Sequence, residues 1–238
     1  MSNYFFRFFT ALLFGVALLA AVACSKVNNS IETVAAETKD KPVNNSQPKP
    51  LPTPATTAKG EQTAVFAGGC FWGLEAVFEH IKGVSDVVNG YSGGAAKTAD
   101  YETVSTGTTG HAESVKIIYD PSQVSYEQLL KVFFSVAHDP TELNRQGPDT
   151  GTQYRSAIFY TNDEQKQLAE NYIAELTKTK TFSKLIVTQV VPLEAFYKAE
   201  DYHQNYLDNH PDQPYIVVND KPKVENLQKQ FPALYVSK

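Results

Sequence analysis

The feature that most constrains the fold is a proline-rich segment near the start of the chain that cannot pack a core. Five of the 13 prolines in this 238-residue chain lie between Pro42 and Pro54, and residues 25–60 are otherwise rich in Lys, Asn, Thr and Ala. Few large apolar side chains occur there, so residues 25–60 are expected to be disordered and to form a semi-extended tether. A packed core is therefore confined to residues 61–238, which predicts one folded domain.

The first 24 residues have the pattern of an export signal. One positive charge, Arg7, precedes an apolar run over residues 8–23 that is shorter than a membrane-spanning helix. The run ends in Ala21-Val22-Ala23-Cys24. Small residues directly before a cysteine resemble a bacterial lipobox, which predicts lipidation of Cys24, although Ala-Val-Ala also fits ordinary signal cleavage. We expect a lipoprotein of the cell envelope that is anchored to a membrane and faces the periplasm or the exterior.

Charge and ligand spacing exclude two classes of partner. The whole chain carries a net charge of −5 at pH 7, and the tether is net positive, so the predicted domain is acidic. Proteins that follow a phosphate backbone carry basic stripes, and none is evident here. The histidines and acidic residues match no standard set of metal ligands. The sequence therefore predicts neither a nucleic-acid partner nor a metal site.

Short strands and helices alternate through the predicted domain. Apolar patterning predicts strands at residues 64–67, 84–91, 112–119, 155–160 and 185–191, and helices over residues 70–81 and 199–209. Ser125 with Gln128, and Thr161 with Glu164, have capping-box spacing, which predicts two further helices, the second ending near residue 178. This order predicts an α+β domain in which helices cover a mixed sheet.

Cys70, the one cysteine of the predicted domain, lies where the first strand passes into a helix. Gly68-Gly69 is predicted to form a tight turn, and apolar residues at helical spacing follow as far as Gly83, a predicted C-cap. In the first turn of a helix, unpaired N–H groups and the helix dipole favour an anion. We therefore predict a thiol with a lowered pKa and a reactive thiolate. The alternative is a buried structural cysteine.

Two glycine-rich loops carry the other chemically capable side chains. The first contains Tyr101, His111 and Glu113 ahead of a strand, and the second contains Asp149 and Tyr154. Functional groups often lie on such loops. Taken singly, each residue also has a structural interpretation, as a solvated carboxylate, a loop histidine or a packing tyrosine. They are therefore candidates whose roles depend on a wider pattern.

That pattern is a set of five motifs in one order, which resembles the A-type peptide methionine sulfoxide reductases. The motifs are Gly69-Cys70-Phe71-Trp72-Gly73, Gly110-His111-Ala112-Glu113, His138-Asp139-Pro140-Thr141, Gly151-Thr152-Gln153-Tyr154-Arg155-Ser156 and Ala199-Glu200-Asp201-Tyr202-His203-Gln204. The resemblance covers about residues 63–235. It implies a two-layer, ferredoxin-like sandwich. It also implies that the chain reduces the S epimer of methionine sulfoxide, free or in proteins, and so repairs oxidised envelope proteins.

The resemblance implies a catalytic role for four of the candidates. Cys70 would attack the sulfoxide sulfur and become a sulfenic acid. Glu113 would supply a proton to the departing oxygen, because a carboxyl group in an apolar pocket has a raised pKa. Tyr101 and Tyr154 correspond to residues whose hydroxyl groups bind the sulfoxide oxygen.

The resemblance also implies a substrate pocket. Phe71 and Trp72 would hold the methyl group of the substrate, and Asp149 corresponds to a further pocket residue. Trp72 is the only tryptophan of the chain, and its alternative is simple packing in the core.

The chain departs from the common family pattern in its cysteines. Many members keep resolving cysteines in a C-terminal tail, whereas residues 207–238 contain none and Ser105 stands where some members have another cysteine. We therefore expect a single-cysteine enzyme without a bound cofactor. Its sulfenic acid would be reduced by an external thiol, either a thioredoxin-like protein or a small thiol. We expect the enzyme to act as a monomer.

Other functions remain open from the residues alone. A cysteine hydrolase could pair Cys70 with His111, His138 or His203 as a base. A tethered binding lipoprotein could use Phe71, Trp72 and the tyrosines as a ligand pocket and leave the thiol without a function. Neither alternative requires the five motifs to occur together.

Overall fold

The computed structural model describes residues 60–238, which form a mixed six-stranded sheet covered by helices. The sheet strands are β1 (Gln62–Ala67), β2 (Val84–Ser92), β3 (Ala112–Tyr119), β6 (Ala157–Tyr160), β7 (Gln189–Pro192) and β8 (Phe196–Lys198), and a separate hairpin holds β4 (Arg145–Gln146) and β5 (Asp149–Thr150). The helices are α1 (Phe71–Glu79), α2 (Tyr101–Val104), α3 (Tyr126–Val132), α4 (Asp163–Lys178), α5 (Tyr206–Asn209) and α6 (Lys221–Gln230). The predicted signal (1–24), with its lipidation site Cys24, and the tether apart from Gly60 lie outside the described residues. In the described part of the chain, every helix is too short or too polar to cross a membrane.

The order of the strands confirms the predicted α+β fold and its ferredoxin-like centre. The sheet runs β7-β6-β1-β3-β2-β8, so its four central strands are β6, β1, β3 and β2. These four pair antiparallel, and α1 connects β1 to β2 with β3 between them, which is a split βαβ arrangement. Only the β6–β7 pair is parallel among the sheet's described pairs, which makes the sheet mixed.

Alternating burial along β1 explains why it lies at the centre of the sheet. Ala64 and Phe66 face the main core, where the Phe66 ring stacks on Phe133 with centroids 4.8 Å apart. Val65 and Ala67 face a smaller apolar cluster on the opposite side of the sheet. Because both faces are covered, β1 is a continuous apolar strand, and its C-terminal end delivers Cys70 to the edge of the core.

Two helix starts test the capping predictions. Ser125 and Gln128 form the predicted capping box at the start of α3. The prediction for α4 is wrong by one residue, because Asn162, not Thr161, caps the helix by accepting the Gln165 N–H at 2.8 Å. Thr161 donates its own N–H and hydroxyl to the Gln165 side chain, so its hydroxyl is committed elsewhere.

The predicted helix over residues 199–209 is wrong. This stretch forms a 3₁₀ turn at Asp201–His203 and the short helix α5, separated by Asn205 in the left-handed region at φ 53°. The segment is held as an extra layer on β2: the Asn89 N–H donates to the Gln204 side chain at 2.9 Å, and the Asn89 amide donates to the His203 carbonyl at 2.8 Å. These long-range bonds replace helical ones, which sequence periodicity cannot reveal.

Two predicted strands are shorter than expected. The strand predicted at residues 155–160 begins at Ala157, since Arg155 turns its guanidinium onto the carbonyls of residues 110, 111 and 152. The strand predicted at 185–191 is regular only over Gln189–Pro192, the part that pairs with β6. Residues 185–188 have no ladder partner on a neighbouring strand, so the apolar pattern predicts a longer strand than the one that forms.

The last residues of the chain are fastened along α1. Helix α6 packs against α1, and Tyr235 forms an isolated antiparallel bridge with Ile81 just beyond the end of α1. The Val236 N–H donates to the His80 carbonyl at 2.9 Å, and Lys238 pairs with Glu79 at 2.9 Å. The C-terminal segment is therefore an integral part of the domain.

Candidate active site

Cys70 is the N-cap residue of α1 and is buried, with 8% of its surface exposed. A tight turn brings it there: Gly69 has φ 98°, which favours glycine, and a Cβ at this position would lie 2.7 Å from the Gln146 Cβ. Gly68 lies directly under the His138 ring, where a Cβ would come within 2.8 Å of the ring. The Gly-Gly turn therefore fixes the thiol at the helix start, as the sequence predicts.

The predicted lowering of the Cys70 pKa is wrong. Burial raises the pKa of the Cys70 thiol well above its ordinary value, and the carboxyl groups of Glu113 and Asp220 raise it further. The helix start does act in the expected direction, because the nearby backbone N–H of Trp72 lowers the pKa, and the Lys223 ammonium lowers it as well. Loss of hydration outweighs these two effects, so the resting thiol is protonated.

Glu113 projects from β3 toward the same helix start. Its Oε2 accepts a hydrogen bond from the Phe71 N–H at 3.1 Å, and only 2% of the residue is exposed. Burial raises the pKa of Glu113 to about 8, with the Phe71 N–H opposing the shift and Asp149 adding to it. The carboxyl group therefore carries a proton at neutral pH, as expected from its predicted function as a proton donor.

Three tyrosines lie near enough to the thiol to feel its charge when it ionises. Burial raises the pKa values of Tyr101, Tyr154 and Tyr215, and Cys70, when it is ionised, raises all three further. Each phenol is therefore neutral at ordinary pH and able to donate a hydrogen bond. Tyr215 also donates to Asp149, which connects this predicted pocket residue to the cluster. Tyr215 is an addition that sequence reasoning did not identify.

Trp72 lies at the edge of the site, within an aromatic cluster. Its ring stacks on Tyr206 with centroids 3.7 Å apart, and its indole N–H donates to His203 Nδ1 at 3.2 Å. Phe71 is fully buried, and its ring lies 5.0 Å from that of His203. Trp72, in contrast, is partly exposed, so it offers an apolar surface to a ligand while its polar atom is satisfied.

The side chains of Glu200 and Glu75 connect segments around the site that are distant in sequence. Glu200 accepts the Tyr101 N–H and the Tyr91 hydroxyl, both at 2.9 Å. Glu75 accepts the Asn205 N–H at 2.9 Å, and burial raises its pKa to about 7. Glu200 therefore fixes the start of α2, where Tyr101 lies.

Sequence reasoning missed several of these residues. Glu200 and His203 belong to the Ala199–Gln204 motif, but the sequence did not predict that they position Tyr101 and Trp72. Asp220 and Lys223 lie on either side of Pro222 at the start of α6, and an acidic residue followed two positions later by proline is typical of a helix N-terminus. This local pattern gives no reason to expect the two charges near Cys70. Only their long-range contacts with α1 reveal this neighbourhood.

The histidines do not support a cysteine hydrolase. His111 and His138 each donate to a backbone carbonyl, at 3.1 and 2.9 Å, and His203 accepts from the Trp72 indole. No hydrogen bond joins any of the three to Cys70 in the described part of the chain. Over residues 60–238, no group of three or more His, Cys, Asp and Glu side chains is arranged to hold a metal ion.

A buried thiol, a protonated carboxyl group and neutral phenols at one helix start are an arrangement suited to thiol chemistry assisted by proton donation. The family model described as peptide methionine sulfoxide reductase matches residues 62–234. The chain therefore belongs to the peptide methionine sulfoxide reductase family, and its relatives place it in the A type, which reduces the S epimer of methionine sulfoxide.

Curated relatives and solved structures agree with this assignment. The chain is 61% identical to peptide methionine sulfoxide reductase MsrA 2 of Mesorhizobium japonicum, over 76% of this chain and 93% of the relative. It is 57% identical to MsrA 2 of Synechocystis, over 74% and 83% of the two chains. The structure of reduced Mxr1 from Saccharomyces cerevisiae covers 66% of this chain and 90% of its own, with 33% identity and a TM-score of 0.62. Methionine sulfoxide reductase A of Corynebacterium diphtheriae covers 64% and 76%, with 37% identity and a TM-score of 0.56.

Proposed function

We propose that this reductase works with Cys70 alone and repairs oxidised methionine in exported proteins of the cell envelope. The observation that carries the proposed chemistry is the pairing of the buried Cys70 thiol with the protonated Glu113 at one helix start. In the first half of the cycle, the sulfur of Cys70 attacks the sulfoxide sulfur and takes up its oxygen. One thiol and one sulfoxide become one sulfenic acid and one thioether, so atoms and electrons balance.

Glu113 and two tyrosines would assist this step. As the S–O bond breaks, negative charge develops on the oxygen, and Glu113 can donate its proton to that oxygen at neutral pH. The proton lost by the Cys70 thiol would return to the Glu113 carboxylate, so the step conserves protons. The neutral hydroxyl groups of Tyr101 and Tyr154 would donate hydrogen bonds to the same oxygen, which favours the transition state more than the substrate. Removal of water from this buried site strengthens both effects.

The aromatic edge would bind the substrate side chain. Trp72 presents an apolar surface that suits the methyl group of the substrate, and the buried Phe71 ring lies next to the Trp72 ring, with centroids 6.4 Å apart. Asp149, held by Tyr215, provides an acceptor for a polar group of the substrate, such as a backbone N–H. These contacts stay predictions.

The second half of the cycle would need a thiol from outside. Cys70 is the only cysteine of the described residues, and residues 207–238 contain none. Two external thiols would convert the sulfenic acid back to the Cys70 thiol with release of one disulfide and one water. A thioredoxin-like protein or a small thiol would serve. The predicted signal and Cys24 support an exported, lipid-anchored enzyme.

The test is a count of methionine released without reductant. Mature protein from expressing cells, given excess sulfoxide of the S epimer, should release about one methionine per Cys70 and retain a sulfenic acid that a dimedone-type reagent traps. The R epimer is the matched control and should release almost none. A disulfide between Cys24 and Cys70 would contradict both the single-cysteine cycle and the lipidation of Cys24, since a lipidated cysteine cannot pair.

Glu200 should affect the reaction through Tyr101. In Glu200→Gln, the amide can still bond the Tyr101 N–H and the Tyr91 hydroxyl, but both charge-assisted bonds become neutral ones, a loss comparable to one ordinary hydrogen bond. We expect the single-turnover rate to fall about five- to tenfold, which corresponds to roughly 1–1.5 kcal/mol for one hydrogen bond. The exposed neighbour Glu102→Gln should leave the rate unchanged. In a Tyr101→Phe background, Glu200→Gln should add little, and full additivity of the two changes would contradict a shared action.

A further inference from the structure

The buried Asp220 and the partly exposed Lys223 form an ion pair that the catalytic proposal does not use. Asp220 ends the π-helical turn Ile216–Asp220 and is 0% exposed, and its Oδ1 lies 3.2 Å from the Lys223 Nζ. Its other oxygen, Oδ2, has no hydrogen-bond partner in the described part of the chain. Burial of such a pair costs much of its Coulomb energy, so stability alone is a weak reason for it.

The pair lies against the first turn of α1. A Cβ at Gly73 would overlap the Asp220 carboxyl group and would come within 2.6 Å of the Lys223 Nζ. Cys70 is the N-cap of α1 and Gly73 is the third helical residue, and these two positions face each other across the first turn of a helix. Only glycine at residue 73 leaves room for both charges beside the thiol.

The two charges act on the thiol with opposite signs. Lys223 lowers the pKa of Cys70 and Asp220 raises it. Six ionisable groups of residues 60–238 interact electrostatically with Cys70. They are Glu113 of β3, Tyr101 of α2, Tyr154, Tyr215, Asp220 and Lys223. Lys223 is the one cation among these groups of the described chain. An ammonium group is also disfavoured by the dipole at a helix N-terminus, so its placement there calls for an explanation.

We propose that Asp220 and Lys223 are positioning residues that set the charge on Cys70. The Lys223 ammonium favours the thiolate, and the Asp220 carboxylate holds the ammonium in place and opposes its effect. Asp220 thereby cancels the thiolate-favouring effect of Lys223, so that burial keeps the resting thiol protonated and unreactive toward oxidants, because the thiolate is the reactive form. For an enzyme with a single cysteine, this protects the only nucleophile between substrates.

The test measures the thiol and not turnover. This inference rests on the proposed role of Cys70, but alkylation by iodoacetamide reports the thiolate whether or not the chain reduces sulfoxides. The full chain with Cys24→Ser has Cys70 as its only thiol, and its alkylation rate is followed against pH. Asp220→Asn keeps an acceptor for Lys223 and removes the negative charge. We expect about tenfold faster alkylation at pH 7, the effect of one pKa unit on the thiolate fraction.

A double variant isolates the lysine. In Asp220→Asn/Lys223→Met, both charges are absent, so alkylation at pH 7 should fall about tenfold from the Asp220→Asn rate. A purely structural pair would change the urea midpoint and leave the pH profile in place. The exposed ion pair of Glu225 and Lys229 on the same helix is the matched control, and Glu225→Gln/Lys229→Met should alkylate at the parent rate. Equal rates for Asp220→Asn and its parent, or for Asp220→Asn and the double variant, would overturn the proposal.

Discussion

Replacement of Cys70 by serine is expected to abolish the reduction of methionine sulfoxide. A serine hydroxyl is a far weaker nucleophile than a thiol. A thiol that accepts the sulfoxide oxygen becomes a sulfenic acid, whereas a hydroxyl group has no comparable stable product. The expected rate is that of the uncatalysed reaction, about 10⁶-fold or more below the parent enzyme. The measurement is methionine release from S-sulfoxide in the presence of excess dithiol.

The second cysteine provides the matched control for this variant. Cys24→Ser should keep full activity, because residue 24 is predicted to lie in the signal and lipidation region. The same pair of variants also tests the non-enzymatic interpretation. A binding lipoprotein would lose no function with Cys70→Ser. Measurable turnover by Cys70→Ser, or a strong loss in Cys24→Ser, would contradict the assignment of Cys70 as the nucleophile.

Replacement of Glu113 by glutamine is expected to slow the reductase step by about 10²- to 10⁴-fold, the usual contribution of general acid catalysis. Glutamine has nearly the same shape and can still accept the Phe71 N–H through its carbonyl oxygen. It has no acidic proton to give to the departing oxygen. Single-turnover methionine release measures this step without a contribution from the external thiol.

The pH profile separates proton donation from a structural effect. The pKa of Glu113 is raised to about 8, so its proton is present below that pH and lost above it. The Cys70 thiol titrates in both enzymes, so the ratio of the parent rate to the Glu113→Gln rate should decline as pH rises through about 8. Glu113→Asp keeps a carboxyl group on a shorter side chain and should retain intermediate activity. A ratio of the two rates that stays constant as pH rises through about 8 would show that another group is the donor.

Much of the fold was predictable because it depends on local patterns. Alternation and apolar runs predicted the four central strands, and capping spacing predicted α3 at its observed start. The extra layer formed by residues 199–209 was not predictable, because side chains far apart in sequence hold it, such as Asn89 and Gln204. Periodicity reports which face of an element is apolar and gives no information on such contacts.

The candidate site shows the same division between local and long-range information. Motifs predicted Cys70, Glu113 and Tyr154, and the family resemblance added Tyr101. The structure brings the four together, although their catalytic roles stay predictions. The direction of the Cys70 pKa was wrong because it depends on burial by the whole fold, which a helix-start pattern does not contain. Residues such as Tyr215 and Lys223 join the site only where the chain returns to α1.

The C-terminal segment fastened along α1 determines how this protein depends on its surroundings. The last residues of this segment are held at the end of α1 opposite Cys70, and residues 207–238 contain no cysteine. In the proposed cycle the segment therefore cannot carry oxidising equivalents away from Cys70, and each turnover waits for a reductant to reach the buried sulfur. Repair capacity is then limited by the delivery of thiols to the compartment and not by the number of enzyme molecules. When delivery fails, oxidised enzyme accumulates in proportion to past damage. The fraction of Cys70 held as sulfenic acid therefore becomes a gauge of local thiol supply.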